Sequence, residues 1–97
     1  MIRIAICSGE KKIIDEVCEY VRNYAEQESG REIEPVTFDS TRRLVSALEA
    51  NVFFNAFLID ADLGDESGIV LAADIRKRGS EAPIIYLDSS AAASIAS

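Results

Sequence analysis

Ninety-seven residues, 48% of them hydrophobic, suffice for one small domain with a modest core and exclude a two-domain enzyme. Ten Lys and Arg against 17 Asp and Glu give a formal charge of −7, which repels nucleic acid and anionic membrane and leaves no basic stripe for phosphate-backbone contacts. There is no His, so His-dependent triads, His-ligated zinc and the commonest general base are absent, and the two cysteines, Cys7 and Cys18, lack metal-type spacing.

The chain opens on "IRIAIC", Ile2 to Cys7, a short apolar and β-branched run that predicts a first strand ending in Cys7 as a small buried apolar residue. After "SGEKK" a helical pattern follows. Ile13, Ile14, Val17, Cys18, Val21 and Tyr24 recur at offsets of three, four and seven and predict its core face, while Lys11, Glu16, Glu19 and Arg22 point outward. Ser8 can cap this helix, with Gly9 easing the turn. "ESGRE", Glu28 to Glu32, reads as a turn, and "IEPVTF", Ile33 to Phe38, as a second strand. Its Pro35 cannot donate to a ladder, which assigns that strand to a sheet edge.

Asp39 and Ser40 offer caps for a second helix that carries Leu44, Val45 and Leu48 on one face and ends near Asn51. "AFLID", Ala56 to Asp60, predicts strand three. The acids Asp62, Asp65 and Glu66 follow it, and then "GIVLAADIRKRG", whose basic last turn before Gly79 suits a helix C-terminus. Asp65 and Glu66 read as a solvated loop near the start of that helix, where its dipole favours acids. "APIIYLD", Ala82 to Asp88, predicts strand four, and "SSAAASIAS" is weakly patterned. Near-continuous apolar strands alternating with amphipathic helices argue for a parallel sheet covered on both faces, whose ligands bind at the carboxyl ends of the strands. Ser8, Gly9, Asp60 and Asp88 all reach that edge. With neither a signal peptide nor an apolar run of spanning length, a cytoplasmic location with reduced thiols is expected.

"RIAICSGEKKIIDEV", "FLIDADLGDESGIVLAADIR" and "APIIYLDSS" together resemble the receiver (CheY-like) domain of two-component response regulators over nearly the whole chain. The pattern D-x-x-L-G-D-x-x-G-I-x-L-A-x-x-I-R is most similar to receivers of LytTR-type transcription regulators. The resemblance implies a flavodoxin-like, doubly wound sheet of strand order 2-1-3-4 with the fifth strand missing, and a non-enzymatic signalling role. It implies that Asp60 accepts a phosphoryl group from a sensor histidine kinase. It also implies a Mg²⁺ ion held by Asp60, by an acidic pair after strand one and by the backbone carbonyl of Asp62.

The chemistry explains the pattern. A carboxylate attacking a phosphoryl group approaches another anion, and a hard divalent cation with oxygen ligands neutralises both. This chain departs from the pattern at most partners. Ser8 and Gly9 stand at the acidic pair, with Glu10 as the nearby substitute ligand, and Asp88 stands at the switch hydroxyl, followed by Ser89 and Ser90. Asp60 and Asp88 on neighbouring strands would repel. At an effective dielectric of about 20, two such charges about 4 Å apart interact by roughly 4 kcal/mol, which opposes a phosphoryl group between them. The expectation is therefore a degenerate receiver over residues 1–97, incomplete at the C-terminus, with phosphorylation-independent signalling favoured. The chain stops at Ser97, before the strand and helix that would supply a phosphate-clamping lysine, and an exposed strand edge there predicts a homo-oligomer.

Two other classes are open. "FLIDADLG" resembles the D-x-D motif of haloacid-dehalogenase-type phosphatases, which would make Asp60 a nucleophile and Asp62 an acid/base. That motif belongs on a first strand, whereas here it lies on the third. Alternatively the sheet is a scaffold whose helical face binds a partner, independently of phosphate.

Overall fold

The computed structural model describes residues 1–29, 32–61, 63 and 67–87, and only the backbone of residues 28 and 29. Among the described residues four strands and three α-helices alternate: β1 (Ile2–Cys7), α1 (Lys11–Tyr24), β2 (Ile33–Phe38), α2 (Thr41–Glu49), β3 (Ala56–Asp60), α3 (Gly68–Lys77) and β4 (Ile84–Leu87). All strand pairs are parallel and the spatial order is β2-β1-β3-β4, the flavodoxin-like order expected. Pro35 sits on edge strand β2, opposite Ile4, where its missing donor faces away from the sheet.

Alternation along the strands divides the core into two layers. Ala5, Cys7, Phe57 and Ile59 face one side and pack with Leu44 of α2 and with Leu71 and Ile75 of α3. Ile6, Leu58 and Leu87 face the other side, against Ile13, Val17, Cys18 and Val21 of α1. Phe54 joins Phe38 and Phe57 edge-on, with ring centroids 5.8 and 5.6 Å apart. Fully burying a side chain such as Phe57 contributes roughly 1.5–3 kcal/mol. The ion pairs Arg3–Glu34, Arg43–Asp39 and Arg78–Asp74 lie on solvated faces and contribute little.

The structure corrects several sequence expectations. Tyr24 is 50% exposed rather than part of the α1 core face. Burial along α1 ends at Val21, and Tyr24 is the last residue of the helix, after which the backbone leaves the α-helical path. The backbone then continues through a five-residue π turn, Ala25–Ser29, which takes in the first two residues of the turn expected over Glu28–Glu32, while Gly30 and Arg31 lie outside the described residues. α2 stops at Glu49, two residues before Asn51, which adopts φ 64°. There the Val52 N–H donates to Ala47 O and the Asn51 N–H to Leu48 O, a Schellman closure in which Asn tolerates the left-handed conformation. α3 closes on Gly79 at φ 90°, as its sequence predicts. β4 begins at Ile84 and not at the expected Ala82, because Pro83 cannot donate at its start, and Asp88 of the expected strand lies outside the described residues.

Candidate functional site

The carboxyl edge of the sheet is built by register. Ile6 pairs with Leu58 and Cys7 with Ile59, so the next residues, Ser8 and Asp60, emerge side by side. The Ser8 N–H donates to Phe38 O of β2, and the Ala61 N–H donates to Leu87 O of β4, which holds the ends of all four strands together. Asp60 is only 5% exposed and Ser8 is fully buried. The Ser8 hydroxyl donates to Asp60 Oδ2 at 2.9 Å and accepts the Glu10 N–H at 3.0 Å. A hydrogen bond to a charged group contributes about 1.5–3 kcal/mol, which offsets part of the cost of burying the carboxylate.

This overturns the reading of Ser8 as an ordinary cap. The N-cap of α1 is Glu10, in extended conformation and without a side-chain cap, while Ser8 lies two residues earlier and faces Asp60. Gly9 is not needed to ease the turn either, since its φ is not positive and a Cβ there would meet only Leu63 O, at an ordinary 3.5 Å. Gly68, in contrast, is required. A Cβ at that position would overlap the Asp60 carbonyl oxygen, and the Gly68 N–H donates to Ala61 O. The start of α3 therefore lies directly on the end of β3. Ser67 caps it by accepting the Ile69 N–H.

Of the sequence-predicted site residues, the structure brings Asp60 and Ser8 together, with the exposed Gly9 and Glu10 following on the same turn. Asp62, Asp88 and Ser89 lie outside the described residues, as do Asp65, Glu66 and Ser90. Among the described residues the donor set does not fit the Mg²⁺ ion that the sequence resemblance implies. Among the described residues no three Asp, Glu, Cys or His side chains group as metal ligands, and Ser8 presents a neutral hydroxyl to the one buried carboxylate. Elsewhere, burial pushes the Cys18 thiol above its ordinary value; nearby Arg22 lowers it and Asp15 raises it. Cys7, also buried, directs its thiol to Ser40 O at 3.7 Å, consistent with a packing role. A cleft of about 520 Å³ lined by Phe53, Phe54, Asn55 and Ala82 opens beside the α2–β3 and α3–β4 connections, away from Asp60.

No protein-family model matches the chain, and no curated protein is similar enough to count as a match. Solved structures do match. The response regulator TrrA of Thermotoga maritima, in complex with Mg²⁺ and BeF, superposes with a TM-score of 0.77 at 21% identity over 92% of this chain and 70% of that one. The fold is that of a receiver domain. The N-terminal domain of a response regulator/sensory box/GGDEF protein from Carboxydothermus hydrogenoformans gives 0.76 at 18% identity, covering 90% of this chain and 64% of that one. A response regulator receiver domain protein from Clostridium thermocellum gives 0.74 at 17% identity, covering 91% and 65%. The chain thus spans about two thirds of the receiver-domain chains it matches. Among the described residues no helix is long and apolar enough to cross a membrane.

Proposed function

We propose that the chain is a receiver-type signalling domain of a two-component system, in which Asp60 occupies the phosphoacceptor place and the signal passes without Mg²⁺-assisted phosphorylation. The observation that carries this reading is the buried hydrogen bond from the Ser8 hydroxyl to Asp60 Oδ2. Phosphoryl transfer to a carboxylate depends on positive charge to neutralise two approaching anions. Here the turn after β1 offers a neutral hydroxyl and the exposed Glu10 instead. On this reading a sensor histidine kinase is the partner to test first, engaged by docking, and a cytoplasmic location follows from that partner. The D-x-x-L-G-D-x-x-G pattern supports a LytTR-type placement and hence a role in transcription regulation through a separate DNA-binding domain.

The domain is not an enzyme on this reading. The D-x-D phosphatase alternative is disfavoured by Asp60 lying on the third strand of the chain. A phosphate-independent interaction module is the second reading, favoured by the exposed apolar side chains Ile69 and Val70 on α3 and Ile85 and Tyr86 on β4.

The test is intact-mass spectrometry of the folded chain after incubation with acetyl phosphate and Mg²⁺, beside Asp60→Asn. The expected result is no mass gain in either protein. A gain of one phosphoryl group that Asp60→Asn abolishes would overturn the phosphorylation-independent reading and make Asp60 an active acceptor.

A further inference from the structure

Two observations at the carboxyl edge bear on what Asp60 binds. The first is how the Ser8 hydroxyl is committed. It accepts the Glu10 N–H and donates to Asp60 Oδ2, and with one proton to give, it directs that proton at the carboxylate. The second is the freedom at Gly9, where φ is not positive and an added Cβ would meet one backbone oxygen at 3.5 Å. Neither backbone strain nor lack of space demands glycine there. The turn between Ser8 and Glu10 is therefore held by the serine hydroxyl and not by a conformation that only glycine can adopt.

We infer that Ser8 is a built-in partner of Asp60 that stands in place of a divalent cation and ties the carboxylate to the start of α1. The inference deepens the proposed receiver reading and rests on it only in treating Asp60 as the centre of the site. A Mg²⁺ ion demands near-octahedral oxygen ligands and gives up its waters reluctantly. Among the described residues the site offers one buried carboxylate, 5% exposed and accepting a hydrogen bond from a neutral hydroxyl, which does not meet that demand. The same bond makes the Glu10 amide sensitive to Asp60. Removing the negative charge weakens the pull on the Ser8 proton, and the serine oxygen that receives the Glu10 N–H then loses its fixed orientation.

The experiment is amide NMR with hydrogen exchange on the full chain, titrated with Mg²⁺ and with no phosphodonor present. Wild type, Asp60→Asn and the double variant Ser8→Asp with Gly9→Asp are compared. Wild type is expected to show no saturable Mg²⁺-dependent shift, whereas the double variant shows one centred on residues 8–10 and 60. Asp60→Asn is expected to lower protection of the Glu10 amide by about tenfold. If the double variant does not fold, Gly9→Asp alone, which keeps the Ser8 bond and adds an acid at an exposed position, is expected to show a weaker saturable shift. Saturable Mg²⁺ binding at these residues in wild type would overturn the replacement of the cation, as would unchanged Glu10 protection in Asp60→Asn for the tie to α1. Because no phosphoryl donor or partner enters these measurements, their failure is separate from failure of the signalling reading.

Discussion

A methyl group at position 68 has nowhere to go, because it would meet the Asp60 carbonyl oxygen and lie 3.0 Å from Ala61 Cα, both on a strand end that cannot retreat. Gly68→Ala is therefore expected to destabilise the domain by about 1–3 kcal/mol, read as a lower urea midpoint with unchanged m-value, and to shift the amide resonances of Asp60 and Ala61. Asp60 itself was legible in the sequence, since an apolar run of strand character ending in a carboxylate marks a strand terminus. Its partner was not. Ser8 was placed at the same sheet edge but could equally be a helix cap, and no local signal distinguishes a hydroxyl facing its own helix from one facing a residue 52 positions away.

At the scale of elements, most beginnings and endings follow from local chemistry. Ser40 caps α2 by accepting the Arg43 N–H at 3.3 Å, and Ser40 O also receives the Cys7 thiol. Ser40→Ala is expected to cost about 1 kcal/mol in thermal or urea unfolding, whereas Ser40→Asp, which keeps an acceptor, should retain most of the stability. Pro35, Asn51 and Gly79 likewise do their work within a few residues, by a missing donor or a left-handed backbone. What misled was reach. Tyr24 satisfies the helical period as well as Val21 does, but the period records direction only and is silent on where burial along the helix ends.

At the scale of the whole molecule, the described residues leave apolar side chains exposed on α3 and along β4. Among the described residues β4 pairs with β3 alone, and Ile85 and Tyr86 are 52% and 49% exposed, close to Ile69 and Val70 in kind. An open strand edge with exposed apolar side chains favours association with a second chain. Light scattering over a concentration series is expected to show self-association that survives Asp60→Ala and weakens in the double variant Ile85→Ser with Tyr86→Ser. A concentration-independent monomer would contradict it. The charge of −7 limits how closely copies approach at low salt, so added salt should strengthen the association.

By itself the sequence determined the alternation of strands and helices, the edge position of β2, the N-cap of α2, the end of α3 at Gly79, and the arrival of Asp60 at the carboxyl end of a parallel sheet. All of these follow from periodicity, a missing donor or a backbone conformation, which act over a few residues. Only the tertiary structure decided that Ser8 holds Asp60, that Gly68 must be glycine while Gly9 need not be, and that Tyr24 is left outside the core. Each of those depends on the register between strands and the close approach of segments distant in the chain, and such distances arise only when the whole sheet is assembled.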